Sequence, residues 1–435
     1  MKKQKSMALS LLLLFFAANF LALTITPQCS AESSYSAGLI AELGEASTVL
    51  IYSQIDATVK VYVPDENWLP TTDYILVPVT VGTMGSGFFV SSNGYIVTAG
   101  HVIFCFTHTD FTQDLRTKYV LIGESFNVLI NALKEEGYYF TPAEQEALLT
   151  YILTYSTLQD AIRLVYAVLG EVKATLTDVQ AKGWVARVVS VSPYIERDLA
   201  LLKVEGLANC PVLTVGDSDK VMTGDNVYMF GFPGVVTFHP EMGPETLLAP
   251  SMTSGIISGK RFTNFQTPCF QTDAAITHGN SGGPGLNKEG EVIGVCSRGS
   301  VTEAGQEVAG FDFIIQSNVL KSLLTESNVA NVKGPVDEAF LRGLNYYYEK
   351  HYSAAKKEFE TVTGLFAYHW RAQELILECN AAIARGEDVP LGGQGLLGIE
   401  IWMVLVILIS AVAVIAVVAL ILVQRRRSHT IPASE

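Results

Sequence analysis

Apolar residues fall into different regimes along this chain. Residues 7–23 and 401–423 are nearly unbroken apolar runs, while between them the runs are short and punctuated. Over residues 79–102 strand-length apolar stretches alternate with glycine-rich turns, and Asn93-Gly94 between two such stretches predicts a tight hairpin. Further short strands are expected at 183–191, 199–204, 226–232, 269–272 and 291–296. This is an all-β pattern, a barrel or a sandwich.

The stretch at about 110–170 breaks the pattern. Phe126, Leu129, Ile130 and Leu133 share one face of a helix. Thr141-Pro142-Ala143-Glu144 has the form of a capping box with Pro at the first helical position. Helical spacing then continues to about Gly170, so the whole stretch reads as a helical insertion. It is expected to pack on the β domain, with a lid over the site as the alternative. Helical spacing returns over 335–386, where Ala339, Gly343, Tyr346, Ala355 and Phe359 resemble a tetratricopeptide repeat, small residues letting two helices approach and aromatics filling the gap. Residues 387–400 read as a glycine-rich linker.

The two ends set an expected topology. Lys2, Lys3 and Lys5 precede the first apolar run and small residues follow it, so 1–31 reads as a secretory signal, with an uncleaved anchor as the alternative. Residues 401–423 carry no charge and as a helix would reach about 35 Å, enough for a bilayer core. Arg425, Arg426 and Arg427 follow at once and mark 424–435 as a cytoplasmic tail. The expected protein is single-pass, with about 32–398 facing outward.

Composition adjusts this only a little. Hydrophobic content is 49% and charge 17%, with a formal net charge of −14. An acidic middle excludes nucleic acid as a natural partner, which would need clustered Lys and Arg. No pair among the six cysteines has CxxC spacing, so no metal site is expected; one disulfide is possible, but most should be small buried residues. No cofactor is implied.

Three segments carry chemistry. Thr98-Ala99-Gly100-His101-Val102 ends an apolar strand in a histidine, Arg197-Asp198-Leu199 puts an acid at the start of another, and Gly279-Asn280-Ser281-Gly282-Gly283-Pro284 wraps a serine in glycines. A serine hydroxyl needs a base to become a nucleophile, histidine can serve near neutrality, and a carboxylate on its other nitrogen fixes the tautomer. Glycines around the serine let backbone N–H groups converge on a developing oxyanion. The GxSxG elbow of α/β-hydrolases is excluded, since Gly282-Gly283-Pro284 starts no helix.

With Gly85-Ser86-Gly87-Phe88 ahead of the histidine, these segments resemble the chymotrypsin-like, or trypsin-like, peptidase family over about 50–325, and within it the HtrA/DegP-type subgroup. The resemblance implies a mainly β fold of two six-stranded barrels at 48–325, with His101 and Asp198 from the first and Ser281 from the second. It implies His101 as general base, Asp198 as orienting acid, Ser281 as nucleophile, and the N–H groups of Gly279 and Ser281 as oxyanion hole. It also implies a substrate pocket at Ala275, Ser297, Gly299 and Gly310. Ala275 stands where trypsin-type members carry an acid, so apolar residues are expected before the scissile bond. Asn280 replaces the Asp of zymogen-activated members, His278 stands where HtrA-like members often have Pro, and a short helical segment follows the domain instead of a PDZ module. The expected protein is a membrane-anchored extracytoplasmic serine endopeptidase acting on polypeptides, with its helical tail open to a protein partner. The alternative is a catalytically silent membrane-tethered scaffold on the same fold.

Overall fold

The computed structural model describes residues 35–173, 175–234, 247–277, 279–301 and 307–391, with some residues between 409 and 422. The expected leader at 1–31, most of the 387–400 linker, most of the 401–423 span, the tail and His278 lie outside the described residues. Among the described residues no helix is long and apolar enough to cross a membrane.

The chain divides into two compact units, of which the first holds most of residues 35–331. It opens with helix α1 (Ala37–Ser47), capped by the Ser36 hydroxyl, which accepts from Leu39 N–H. Then come β1 (Thr48–Pro64), β2 (Pro70–Ser91) and β3 (Tyr95–Thr98), with the expected Asn93-Gly94 turn between the last two and Gly94 at φ +88°. Helices α2 (Leu115–Glu135) and α3 (Pro142–Tyr155) follow, then β4 (Thr157–Leu169), β5 (Val172–Lys173), α4 (Leu176–Lys182), β6 (Trp184–Ser192) and β7 (Leu199–Val204). The order β1-β2-β3-β7-β6-β4 closes into a barrel. Next are β8 (Asn226–Gly231), β9 (Leu247–Leu248), β10 (Ser251–Phe262), β11 (Pro268–Thr272), β12 (Pro284–Leu286), β13 (Val292–Val301) and β14 (Glu307–Gln316). The order β10-β11-β14-β13-β12-β8 closes a second barrel, and α5 (Ser317–Glu326) follows it.

Closure removes the open edges that antiparallel sheets otherwise expose. One apolar core joins the barrels: Phe88, Val97, Leu199 and Leu201 from the first pack in a cluster with Phe230, Leu286, Val295 and Ile315 from the second. All are buried. A shared close-packed core fixes the two barrels against each other, and with them whatever stands at their junction.

The 110–170 stretch is half of what its spacing suggests. The α3 capping box is present as expected, with Thr141 accepting from Glu144 N–H and Glu144 from Thr141 N–H. The second half is not helical. Residues 157–169 form β4, which pairs with β1 from Val49↔Leu169 to Lys60↔Thr157 and closes the first barrel through β6. The insertion proper therefore ends at Tyr155. It packs on the far part of the β1–β2 hairpin, where Leu121, Tyr151 and Ile152 meet Val59, Val61, Val77 and Phe104. All five described cysteines are buried free thiols.

The second unit comprises 92–94, 206–212 and, among the described residues, those from Val332 onward. Its helices are α6 (Pro335–Tyr348), α7 (Tyr352–Leu365) and α8 (Trp370–Ala384), each packed on the next. A Cβ on Gly343 would lie 2.5 Å from the Phe359 ring, so the close approach of α6 and α7 needs glycine there. Two titratable groups, half-buried Asp337 and fully buried His369, oppose each other in this unit. Asp337 accepts from Val212 N–H and Gly334 N–H, both at 2.7 Å, yet burial outweighs these bonds and pushes it up to about 6. His369 is fully buried, its Nδ1 accepts from Ala372 N–H, and burial pulls it down to about 3.

The signs follow from linkage. Folded Asp337 holds its proton more tightly than the unfolded chain does, so its contribution is full below about 3.8 and is lost as pH rises through about 6. Folded His369 binds its proton less tightly, so its contribution is full above about 6.5 and is lost as pH falls toward about 3. The slopes offset between about pH 4 and 6. Hydrogen exchange in α6–α8, corrected for intrinsic rates, should show nearly constant stability over that window. Asp337→Asn should make stability rise with pH and His369→Gln should make it fall. Equal slopes in both variants would refute the pairing.

Candidate active site

β3 ends at Thr98, and Ala99-Gly100 lead into a single 3-10 turn over His101–Ile103. A Cβ on Gly100 would lie 2.5 Å from Ser192 O, so glycine lets this turn rest on the end of β6. Asp198 precedes β7 at φ +51°, a left-handed position that Asp tolerates better than most residues, and its N–H donates to Pro193 O. Its neighbour Arg197 makes a two-pronged ion pair with Glu326, the last residue of α5, at 2.8 and 3.0 Å.

These turns bring an imidazole onto a buried carboxylate. His101 Nδ1 is 3.1 Å from Asp198 Oδ1 and 3.0 Å from Oδ2, and His101 N–H donates to Oδ1 at 3.0 Å. Asp198 is fully buried, while the His101 side chain keeps 21% exposure. An ionised carboxylate only accepts, so the proton of a neutral ring is assigned to Nδ1 and Nε2 is left as the acceptor. The edge of Tyr194 lies against the ring, 5.5 Å between centroids.

The serine loop is held from both barrels. Asn280 N–H donates to Thr277 O, Gly282 N–H to Cys296 O and Gly283 N–H to Asn280 O. Ser86, from β2, reaches across twice: its N–H donates to Ser281 O at 2.7 Å and its hydroxyl to Gly279 O at 2.6 Å. The same hydroxyl accepts from Phe232 N–H at 2.9 Å. Gly282, at φ +88°, sits where a Cβ would lie 2.2 Å from Ser86 O and 2.3 Å from Thr98 Oγ1. Gly85 stands where a Cβ would meet both Val102 and Ser281 O. The Ser281 loop is thereby placed beside the turn that carries His101. Gly279 has φ +99°, and no acceptor among the described residues takes its N–H or that of Ser281.

The four residues expected to line a substrate pocket are placed as follows. Ala275 is exposed in the loop after β11, and its carbonyl accepts from Thr253 Oγ1. Gly299 and Gly310 lie on the paired strands β13 and β14. The Ser297 side chain is buried and turned to Asp198: its hydroxyl donates to Asp198 Oδ2 at 2.5 Å. Asp312, 3% exposed on β14, accepts from Ile276 N–H beside Ala275 and adds an acid that the motif comparison at Ala275 did not anticipate. Burial, with Asp312 and Asp198 close by, pushes the Cys296 thiol well up, so it stays protonated at neutral pH. Among the described residues no cluster of three His, Cys, Asp or Glu could hold a metal ion.

Asp312 stands in no motif that the sequence singles out, whereas Ser86 has its place in Gly85-Ser86-Gly87, and Ser297, expected to line the substrate pocket, has its hydroxyl on Asp198.

Residues 85–295 match the family model described as a trypsin-like peptidase domain. The chain is 36% identical over 159 residues to a probable periplasmic serine endoprotease DegP-like of Pseudomonas putida (strain GB-1), covering 36% of this chain and 29% of that protein. It is 36% identical over 152 residues to the serine protease Do-like HtrB of Bacillus subtilis, covering 33% and 30%. It is 34% identical over 144 residues to the serine protease HTR4 of Bos taurus, covering 32% and 26%. The chain thus spans under a third of the length of these relatives. A solved structure, the HtrA-type protease AlgW with decapeptide, is similar at 20% identity and TM-score 0.38 over 67% of both chains.

Proposed function

We propose that this chain, which carries a trypsin-like peptidase domain of the HtrA/DegP kind, is an extracytoplasmic serine endopeptidase that cleaves polypeptides through an acyl-enzyme. The carrying observation is the buried Asp198 carboxylate against His101 Nδ1. With the ring proton on that side, Nε2 takes the Ser281 proton as the hydroxyl attacks the scissile carbonyl. Asp198 then stabilises the imidazolium, which returns the proton to the leaving amine. The N–H groups of Gly279 and Ser281 serve the oxyanion, and their lack of acceptors among the described residues supports that role. Water repeats the sequence and releases the acid.

Two finer parts belong to this reading. The 401–423 run anchors the protein in a membrane with the arginine cluster inside, supported by the helical form and exposed apolar side chains of its described residues, such as Ile409, Ile415 and Leu420. The stacked α6–α8 helices serve as a tetratricopeptide-like surface for a protein partner. A silent scaffold would not need the Asp198–His101–Ser297 arrangement.

A fluorophosphonate probe tests the core of the proposal. It should label wild-type protein at one site and leave Ser281→Ala unlabelled. Well-folded wild-type protein that resists labelling under several conditions would sink it.

A further inference from the structure

The insertion meets the loop that follows His101 at a buried carboxylate. Asp114 is fully buried and is the N-cap of α2, where its Oδ1 accepts from Thr117 N–H at 2.9 Å. One N–H satisfies a cap. The other oxygen turns away from the helix and gathers the loop that leaves the His101 turn. Oδ2 accepts from Phe106 N–H at 2.8 Å, His108 N–H at 3.0 Å, Thr107 N–H, and the Thr107 hydroxyl at 3.1 Å. Thr117, on the first turn of α2, adds a bond from its hydroxyl to Phe104 O at 2.9 Å.

The gathered loop needs such holding. Phe104 sits at φ +61°, a left-handed conformation costly for a bulky residue. The loop also reaches the acid: Tyr194 N–H donates to Cys105 O, and Ile195 N–H to Phe106 O, just ahead of Asp198. The chain from His101 to Phe106 and the chain from Tyr194 to Asp198 are thus laced together, and Asp114 stands behind the lacing. Burial works against its charge, but the bonds from Thr107, Thr117 and His108 outweigh it and hold the carboxyl below its usual range. It therefore stays ionised at neutral pH, as an acceptor-only anchor must.

We infer that Asp114 is a positioning residue for the His101–Asp198 pair, and that through it the insertion acts as a clamp on the catalytic histidine turn. This rests on the proposed peptidase reading for its consequence in rate, but not for its structural content. Asp114→Asn keeps the shape and removes one acceptor, so the helix cap and the loop can no longer both be served.

The experiment uses the full chain. Asp114→Asn should slow fluorophosphonate labelling of Ser281, and kcat on a peptide, by about 10–100-fold, the scale of a small misplacement of reacting groups, with KM changed little. Thr117→Val removes the hydroxyl bond to the same loop and should act in the same direction more weakly; it carries the test if Asp114→Asn does not fold. Thr141→Ala weakens the cap of α3 without touching the loop and should leave kcat unchanged.

Hydrogen exchange separates this inference from the peptidase reading. In Asp114→Asn, and more weakly in Thr117→Val, Tyr194 and Ile195 should exchange faster although their N–H groups donate to Cys105 O and Phe106 O, not to Asp114, whether or not the protein is active. Unchanged exchange there would overturn the clamp. So would wild-type labelling rates in an active protein, or an equal loss of kcat in Thr141→Ala. Absence of labelling in wild type, with the exchange result as expected, would remove the peptidase reading and leave the clamp standing.

Discussion

Asp198→Asn is expected to lower kcat by about 10⁴-fold near neutral pH while KM changes little and the fold is kept. Three donors converge on the carboxylate: His101 Nδ1–H, His101 N–H and the Ser297 hydroxyl. An asparagine has one accepting oxygen and a donating NH₂. If the NH₂ faces Nδ1, the ring must carry its proton on Nε2, and the base becomes a donor toward Ser281. If the oxygen takes the place of Oδ2 it keeps Nδ1–H and the Ser297 hydroxyl, but the NH₂ then meets the His101 N–H and the negative charge that would stabilise imidazolium is still gone. Either way the loss falls on the chemical step, not on substrate binding. Steady-state kinetics with circular dichroism as the fold control checks this. Ser297→Ala, which removes one bond and no charge, should cost far less. A loss below tenfold in Asp198→Asn would mean that Asp198 does not orient the base.

Much of the barrel framework was legible because its signals are local. The Asn93-Gly94 turn, the short strands after residue 183 and the α3 capping box depend on neighbours in sequence, and the structure has them. Residues 157–169 misled because they satisfy two periods at once. Leu158, Ala161, Ile162 and Val165 stand at helical spacing, while Val165, Ala167 and Leu169 alternate. The free edge of β1 decides for the strand, and that edge lies about a hundred residues earlier, outside any local window. The site divides the same way. His101, Asp198 and Ser281 lie in recognisable short motifs. Ser297 does its work on an acid 99 positions away, and Ser86 on a carbonyl 193 positions away, so only the folded chain shows what they hold. Asp114 reads locally as a helix cap; its grip on the histidine turn needs the loop conformation, not the motif.

Ser86 carries the second large expected effect. Its hydroxyl is fully buried between Gly279 O and Phe232 N–H, the one from the serine loop and the other from the end of β8. Ser86→Ala leaves the backbone bond to Ser281 O in place and removes only this bridge. A buried carbonyl and a buried N–H then lose their partner, which costs about 1–3 kcal/mol each if water does not replace the hydroxyl. The residue set loose is Gly279, whose φ of +99° no side chain constrains. Rotation there turns its own N–H away from the proposed oxyanion position while Ser281 and His101 stay where they are. The expected result is a fall in kcat of about 10²–10³-fold, the scale of losing one oxyanion donor. Affinity for a peptide boronate, which resembles the tetrahedral intermediate, should fall in step with kcat, whereas affinity for an unreactive product peptide should hold. That split separates a lost oxyanion donor from general loosening of the barrel, which would weaken both ligands together. A kcat within threefold of wild type would show that the glycine loop keeps its shape without the hydroxyl.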